Sequence, residues 1–215
     1  MNKNINFVTI PRSGHHLVIR ILQKYFNNEL DYCEFYTCCC TTPCSLFKNI
    51  QKNHDFNLKL QYKVFNLYVI QYRNFLESAI SDFNLRIKNN NFKNDLEFVN
   101  ILKKTEGYID NIECTKESWD RHLIWYSKYY VKFYKKWILN SSPYIKIDYK
   151  NLINNPKTVL KKLIIYLFPD KKINENKLDE IISDEKISAK NKIENFIFFN
   201  KKEFKKIEEK IEKLI

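Results

Sequence analysis

Phe7-Val8-Thr9-Ile10-Pro11-Arg12-Ser13-Gly14-His15-His16-Leu17 decides how this chain is read. Its apolar beginning closes a run, residues 5–10, that reads as a buried strand. From Gly14 to about Asn27, Leu17, Val18, Ile21, Leu22 and Phe26 recur at helical spacing. Strand, tight turn and helix make an anion site, because turn and first-turn N–H groups converge where the helix dipole favours negative charge. The 215-residue chain contains only two glycines, and one of them is Gly14 in this turn. A residue without Cβ lets the backbone turn sharply and approach a ligand. Two adjacent histidines at a helix N-terminus also ask for an anion, since their protonated forms are disfavoured there without one.

Downstream, residues 66–71 read as a second buried strand, followed by Arg73 and a helix over Phe75–Ile87. Ser81 lies eight residues after Arg73, about two helical turns on. Residues 144–148 alternate as a third strand before Tyr149-Lys150-Asn151-Leu152. Asn155-Pro156 then supplies an N-cap and a first-turn proline for an amphipathic helix through Leu167. Residues 92–104, 116–139 and 201–215 carry further helical patterns, whereas 29–62 lacks a clear period beyond one short strand. Strands alternating with helices, with no Gly/Ser linker, predict a single α/β domain over residues 1–215. In such folds ligands bind at the C-terminal edge of a parallel sheet, where both the Gly14 loop and Arg73 belong.

Walker A and dinucleotide fingerprints are both absent from the Gly14 loop. The three segments, in this order, resemble the sulfotransferases that use 3′-phosphoadenosine 5′-phosphosulfate (PAPS). Pro11 to His16 is similar to their Pro-Lys/Arg-Ser-Gly loop, Arg73 and Ser81 to their 3′-phosphate pair, and Tyr149-Lys-Asn-Leu to their third motif. Trp119, His122 and Trp125 are similar to a Trp/His/Trp helix of that family. The likeness covers about residues 5–170. It implies a three-layer α/β fold, a central parallel sheet flanked by helices in a P-loop NTPase-like sulfotransferase architecture. It also implies donor contacts from Arg12, Ser13, Gly14, His15, His16, Leu17, Arg73, Ser81 and Tyr149, the tyrosine beside the adenine. The product would be adenosine 3′,5′-bisphosphate (PAP), and no metal would take part. Many members place a histidine about 20 residues before the 3′-phosphate arginine, and His54 stands nineteen before Arg73. His54 is therefore the expected general base and Arg12 a stabiliser of the leaving group, with His122 the competing base. Departures are His15 and His16 at hydroxyl positions, Lys150 at an acidic one, and no glycine-containing basic loop, for which Lys190 or Lys192 would have to substitute.

Composition bounds the rest. The net charge is +12, and five arginines, Arg12, Arg20, Arg73, Arg86 and Arg121, stand out in a lysine-rich chain. Charge alone fits either genomic lysine bias or an anionic ligand. No apolar run approaches the ~20 residues of a membrane span, and the N-terminal sequence carries no signal-peptide pattern, so a cytoplasmic location is expected. Cys33, Cys38, Cys39, Cys40 and Cys44 are clustered without the paired C-x-x-C spacing, which favours buried thiols over a metal site. The acceptor is expected to be a hydroxyl or amine of a small molecule, first of all a carbohydrate, in a pocket shaped by residues 29–62 and the aromatic segment 116–139. A different P-loop kinase or transferase, and a nucleic-acid binder, stay open as alternatives. The missing Lys-Ser/Thr pair argues against the first, and scattered lysines against the second.

Overall fold

The computed structural model describes residues 4–39, 41–90, 112–185, 187 and 192–215. The helix expected over 92–104, Cys40 and Lys190 lie outside the described residues. Five strands form one sheet: β1 (Ile5–Thr9), β2 (Tyr32–Glu34), β3 (Ile50–Asn53), β4 (Leu67–Tyr72) and β5 (Ile145–Asp148). All neighbours pair in parallel, in the order β2-β3-β1-β4-β5. The expected parallel α/β architecture is present, with two strands where residues 29–62 suggested one. Both are short, and β3 carries buried Gln51, Lys52 and Asn53, so neither offers the apolar run that marks a buried strand.

Helices cover both faces. On one side Ile5 and Phe7 of β1, Val69 of β4 and Ile147 of β5 pack with α1 (His15–Tyr25), α6 (Pro156–Leu167) and α7 (Glu175–Asp184). On the other, Val8 and Ile10 join Tyr68 and Ile70 beneath α3 (Phe75–Asn90), α4 (Lys116–Phe133) and α8 (Lys201–Leu214). Successive strand residues point to opposite faces, so a buried central strand must be apolar on both sides, as β1 and β4 are. The helical pattern in the sequence does not announce α7, whose N-cap Asn174 accepts a hydrogen bond from Lys177 N. A short helix α5 (Tyr149–Asn154), capped by Asp148, intervenes before Pro156; Asn155 occupies the next N-cap position without a side-chain capping bond. The segment that reads as one helix over 116–139 is α-helical to Phe133 and closes in a π-turn, Tyr134–Ile138. Among the described residues no helix is long and apolar enough to cross a membrane.

Candidate active site

β1, β3 and β4 end side by side, and the chain leaves each at the same edge of the sheet. From β1 it enters the loop Ile10–Gly14. Arg12 and Gly14 both have left-handed backbone there, with φ of 65° and 83°. Gly14 is required twice over. Its conformation is strained for residues with a side chain, and a Cβ would stand 2.7 Å from the Tyr149 ring. Helix α1 begins directly after it with no side-chain cap and no acidic residue in its first turn. Its N-terminal dipole is therefore not neutralised by the protein. Beside it the Ser13 hydroxyl is buried with no hydrogen-bond partner among the described residues, the condition expected of a group awaiting a ligand.

Gln71 at the end of β4 donates to Ser13 O at 2.7 Å and holds the loop against the sheet. The sequence expectations did not include it, although a glutamine ending the apolar run Leu67–Ile70 is a signal. The two anion motifs, far apart in sequence, meet. Arg12 Nε donates to Ser81 Oγ at 3.1 Å, and Arg73 donates through one terminal nitrogen to Arg12 O at 3.3 Å. The Arg73 guanidinium also lies 4.2 Å over the Tyr149 ring and is aligned by Glu77, one helical turn on. Tyr149 thus supports Gly14 and Arg73 together. Leu17 is half-buried on α1 and packs against the core on that face of the sheet.

β3 brings His54 and Lys52 to the opposite side of the loop. His54 Nδ1 stands 2.7 Å from Thr9 O. A carbonyl only accepts, so Nδ1 carries the proton and Nε2 is the basic nitrogen. Burial, and then the charge of Lys52, hold the His54 pKa well below the usual histidine value of 6.5, so the ring is neutral at physiological pH. Lys52 itself pairs with Glu34, and its pKa is lowered by burial against that attraction. His15 is buried, with Nε2 2.6 Å from Tyr32 Oη. Tyr32 donates to Glu34, so His15 donates to Tyr32 and its buried Nδ1 is left as a lone pair without a partner among the described residues. Exposed His16 stacks edge-on against it, with centroids 5.0 Å apart. Burial first, then Lys52, lower the pKa of both histidines. Lys52 thus disfavours protonation of His15, His16 and His54, while Glu34 works against that at His16 and at Lys52 itself.

The aromatic helix α4 holds these pieces in place from below. Tyr126 Oη donates to Pro11 O at 3.4 Å, Tyr129 Oη to His54 O at 2.7 Å and Tyr130 Oη to Arg73 O at 2.9 Å. Its rings were expected to face an acceptor. Trp119, Tyr126 and Phe133 are instead wholly buried, so they are core. Half-buried Trp125 and Phe56, with centroids 6.2 Å apart, remain beside His54. His122 is fully buried, its Nε2 3.2 Å from Ala79 O, with burial pushing its pKa down to about 4. It belongs to the core and does not face the cradle. Of the other arginines, Arg20 pairs with Glu185 on the surface and Arg86 with Asp82 beneath Trp125.

No family model matches the chain, and no curated protein matches it. Among solved structures, mouse sulfotransferase SULT7A1 complexed with PAP superposes with a TM-score of 0.54 at 14% identity, covering 97% of this chain and 83% of that one. The fold is that of a sulfotransferase. Within the sulfotransferase fold, the parallel sheet and the Gly14 loop at its C-terminal edge are the parts that carry the candidate site. Lys192, offered as a substitute for the missing basic loop, is exposed and enters a short 3-10 turn, Ile193–Asn195.

Proposed function

We propose that this protein is a PAPS-dependent sulfotransferase that acts on a hydroxyl or amine acceptor, with a carbohydrate as the first class to test. The observation that carries the reading is one continuous cradle. It joins the uncapped α1 N-terminus, the orphaned Ser13 hydroxyl and the Arg12–Ser81–Arg73 group, with neutral His54 alongside. That SULT7A1, a chain of the same fold, forms a complex with PAP supports the nucleotide assignment.

When bound, the donor supplies a sulfuryl group linked to its 5′-phosphate. In this reading the loop amides, Ser13 and the positive end of α1 hold that 5′ end. Arg73, Ser81 and Arg12 hold the 3′-phosphate, with guanidinium forks suited to bidentate grip. Because the Arg12 side chain reaches Ser81, Lys52 becomes the cation placed to offset charge at the 5′ end. Nothing in the sequence singles that lysine out. His54 Nε2 takes the acceptor proton as the acceptor atom attacks sulfur; the imidazolium that forms keeps its Nδ1–H bond to Thr9 O. Charge developing on the departing phosphate oxygen falls among preorganised donors. A cytoplasmic setting belongs to the same proposal.

The test is transfer of labelled sulfuryl groups from PAPS to a panel of glycans, phenols and amines. The wild type should sulfate at least one acceptor. His54→Ala should keep PAP binding and lose roughly 100-fold or more in turnover, the usual range for a general base. Turnover unchanged in His54→Ala rejects the assigned base.

A further inference from the structure

Beside the cradle, between β2 and β3, lies a cluster that the proposed reaction does not use. The Sγ atoms of Cys33, Cys38, Cys39 and Cys44 all fall within 4.8 Å of one another, and none is in a disulfide. Cys39 Sγ is 3.6 Å from both Cys33 Sγ and Cys44 Sγ. We propose that these four cysteines form a tetrathiolate site for one structural zinc ion that pins the β2–β3 edge of the sheet.

The geometry matches the ion. Zinc–sulfur bonds of about 2.3 Å in a tetrahedron put the sulfurs about 3.8 Å apart. Thiols that merely fill a core have no reason for four sulfurs to converge on one point. A disulfide engages two sulfurs at bonding distance, and an iron–sulfur cluster interposes several atoms and would spread the thiolates further. The sequence spacing argued against a shared ion because adjacent cysteines seldom converge. The backbone removes that objection. Short helix α2 (Phe35–Cys38) ends at Cys38, and Cys39 departs from helical geometry at φ −131°. Neighbouring side chains are therefore freed from the divergence a continuing helix imposes.

The surroundings fit as well. Gln51 Nε2 stands 3.6 Å from Cys33 Sγ and 3.7 Å from Cys39 Sγ, and it donates to Thr41 O at 2.5 Å. An amide N–H directed at sulfur is the outer contact that steadies metal thiolates. Four protein ligands leave no position for water, the pattern of a structural rather than catalytic zinc. The ion would staple the connection into β3, whose described residues, 39 and 41–49, have no regular secondary structure of their own. Its anchor points are also mechanistically placed. Cys33 pairs with Gln51 and Glu34 with Lys52 in adjacent register, so fixing the first pair steadies the ion pair beside His54.

The test is metal analysis of the full chain, expressed with zinc in the medium and purified without metal-affinity resin. The expected result is about one zinc per chain, retained in Cys114→Ser and lost in Cys33→Ser and Cys39→Ser. Cobalt exchanged into the wild type should give the intense visible absorption of tetrahedral cobalt thiolate, a readout that does not depend on the variants folding. Zinc at trace level in a wild type whose thiols stay fully reactive after stoichiometric zinc is added overturns the proposal. So does bound iron–sulfur chromophore, a pair of disulfides among these residues by mass spectrometry, or zinc retained in Cys39→Ser.

Discussion

Replacing Gly14 with alanine should damage the cradle through two separable effects. The first is backbone strain: at φ 83° and ψ 17° an L-residue costs about 1–2 kcal/mol. The second is overlap, because the new methyl would lie 2.7 Å from two carbons of the Tyr149 ring. That ring cannot swing aside freely, since the Arg73 guanidinium is stacked over it at 4.2 Å. Overpacking of this kind costs about 1–3 kcal/mol. Gly14→Ala should therefore lose about 2–5 kcal/mol of unfolding free energy, measured by urea denaturation. In a Tyr149→Ala background only the backbone part survives, so the same substitution should cost about 1–2 kcal/mol. An equal cost in both backgrounds would refute the contact argument, and a cost near zero in both would refute the strained turn as well.

Tyr129→Phe removes the hydroxyl that donates to His54 O at 2.7 Å. The expected loss is about 1–3 kcal/mol in denaturation, with turnover falling more than nucleotide affinity; nucleotide affinity falling first would contradict a role in placing His54. Stability should also fall with acid. His15, His54 and His122 have folded pKa values below 6.5, so under pH 6.5 the unfolded chain binds more protons than the folded one. Their contribution is complete above pH 6.5 and is lost as pH falls towards the folded values. His122, at about 4 when folded, accounts for roughly 3 kcal/mol of that loss. His122→Gln should flatten the stability–pH curve between pH 6.5 and pH 4, and an unchanged slope would show that this ring is not buried neutral.

What the sequence made legible follows from where the physical signal was local. β1 and β4 are apolar on both faces, and Gly14 marks a turn that only glycine fits, so strand, loop and helix could be read directly. Arg73 and Ser81 stood about two helical turns apart, but only the family resemblance gave that spacing a meaning. Of β2 and β3 no more than one short strand, without bounds, was legible, because their burial comes from neighbours across the sheet and their residues include Glu34, Gln51 and Lys52. The same strands hide part of the site. Lys52 looks like any other lysine until Glu34 is placed opposite it, and His15 looks solvent-facing until Tyr32 covers it. The tyrosines of α4 were visible as a group, but their hydroxyl partners on Pro11, His54 and Arg73 depend on contacts across 57 to 115 residues of sequence. Nor does the spacing of the cysteines convey that four sulfurs converge, since that depends on where α2 stops.

The central claim is that the Gly14 loop and the Arg12–Ser81–Arg73 group together grip a nucleotide phosphorylated at both its 3′ and 5′ positions. Thermal unfolding with PAP and with ADP tests it most directly, because ADP lacks the 3′-phosphate. At about 100 times its dissociation constant PAP should add about 2.7 kcal/mol, which raises the melting temperature by roughly 5–10 °C for a chain of this size. ADP should give a much smaller shift, and Arg73→Ala should bring PAP down to the ADP level. Equal shifts with the two nucleotides, or a PAP shift untouched by Arg73→Ala, would contradict the account.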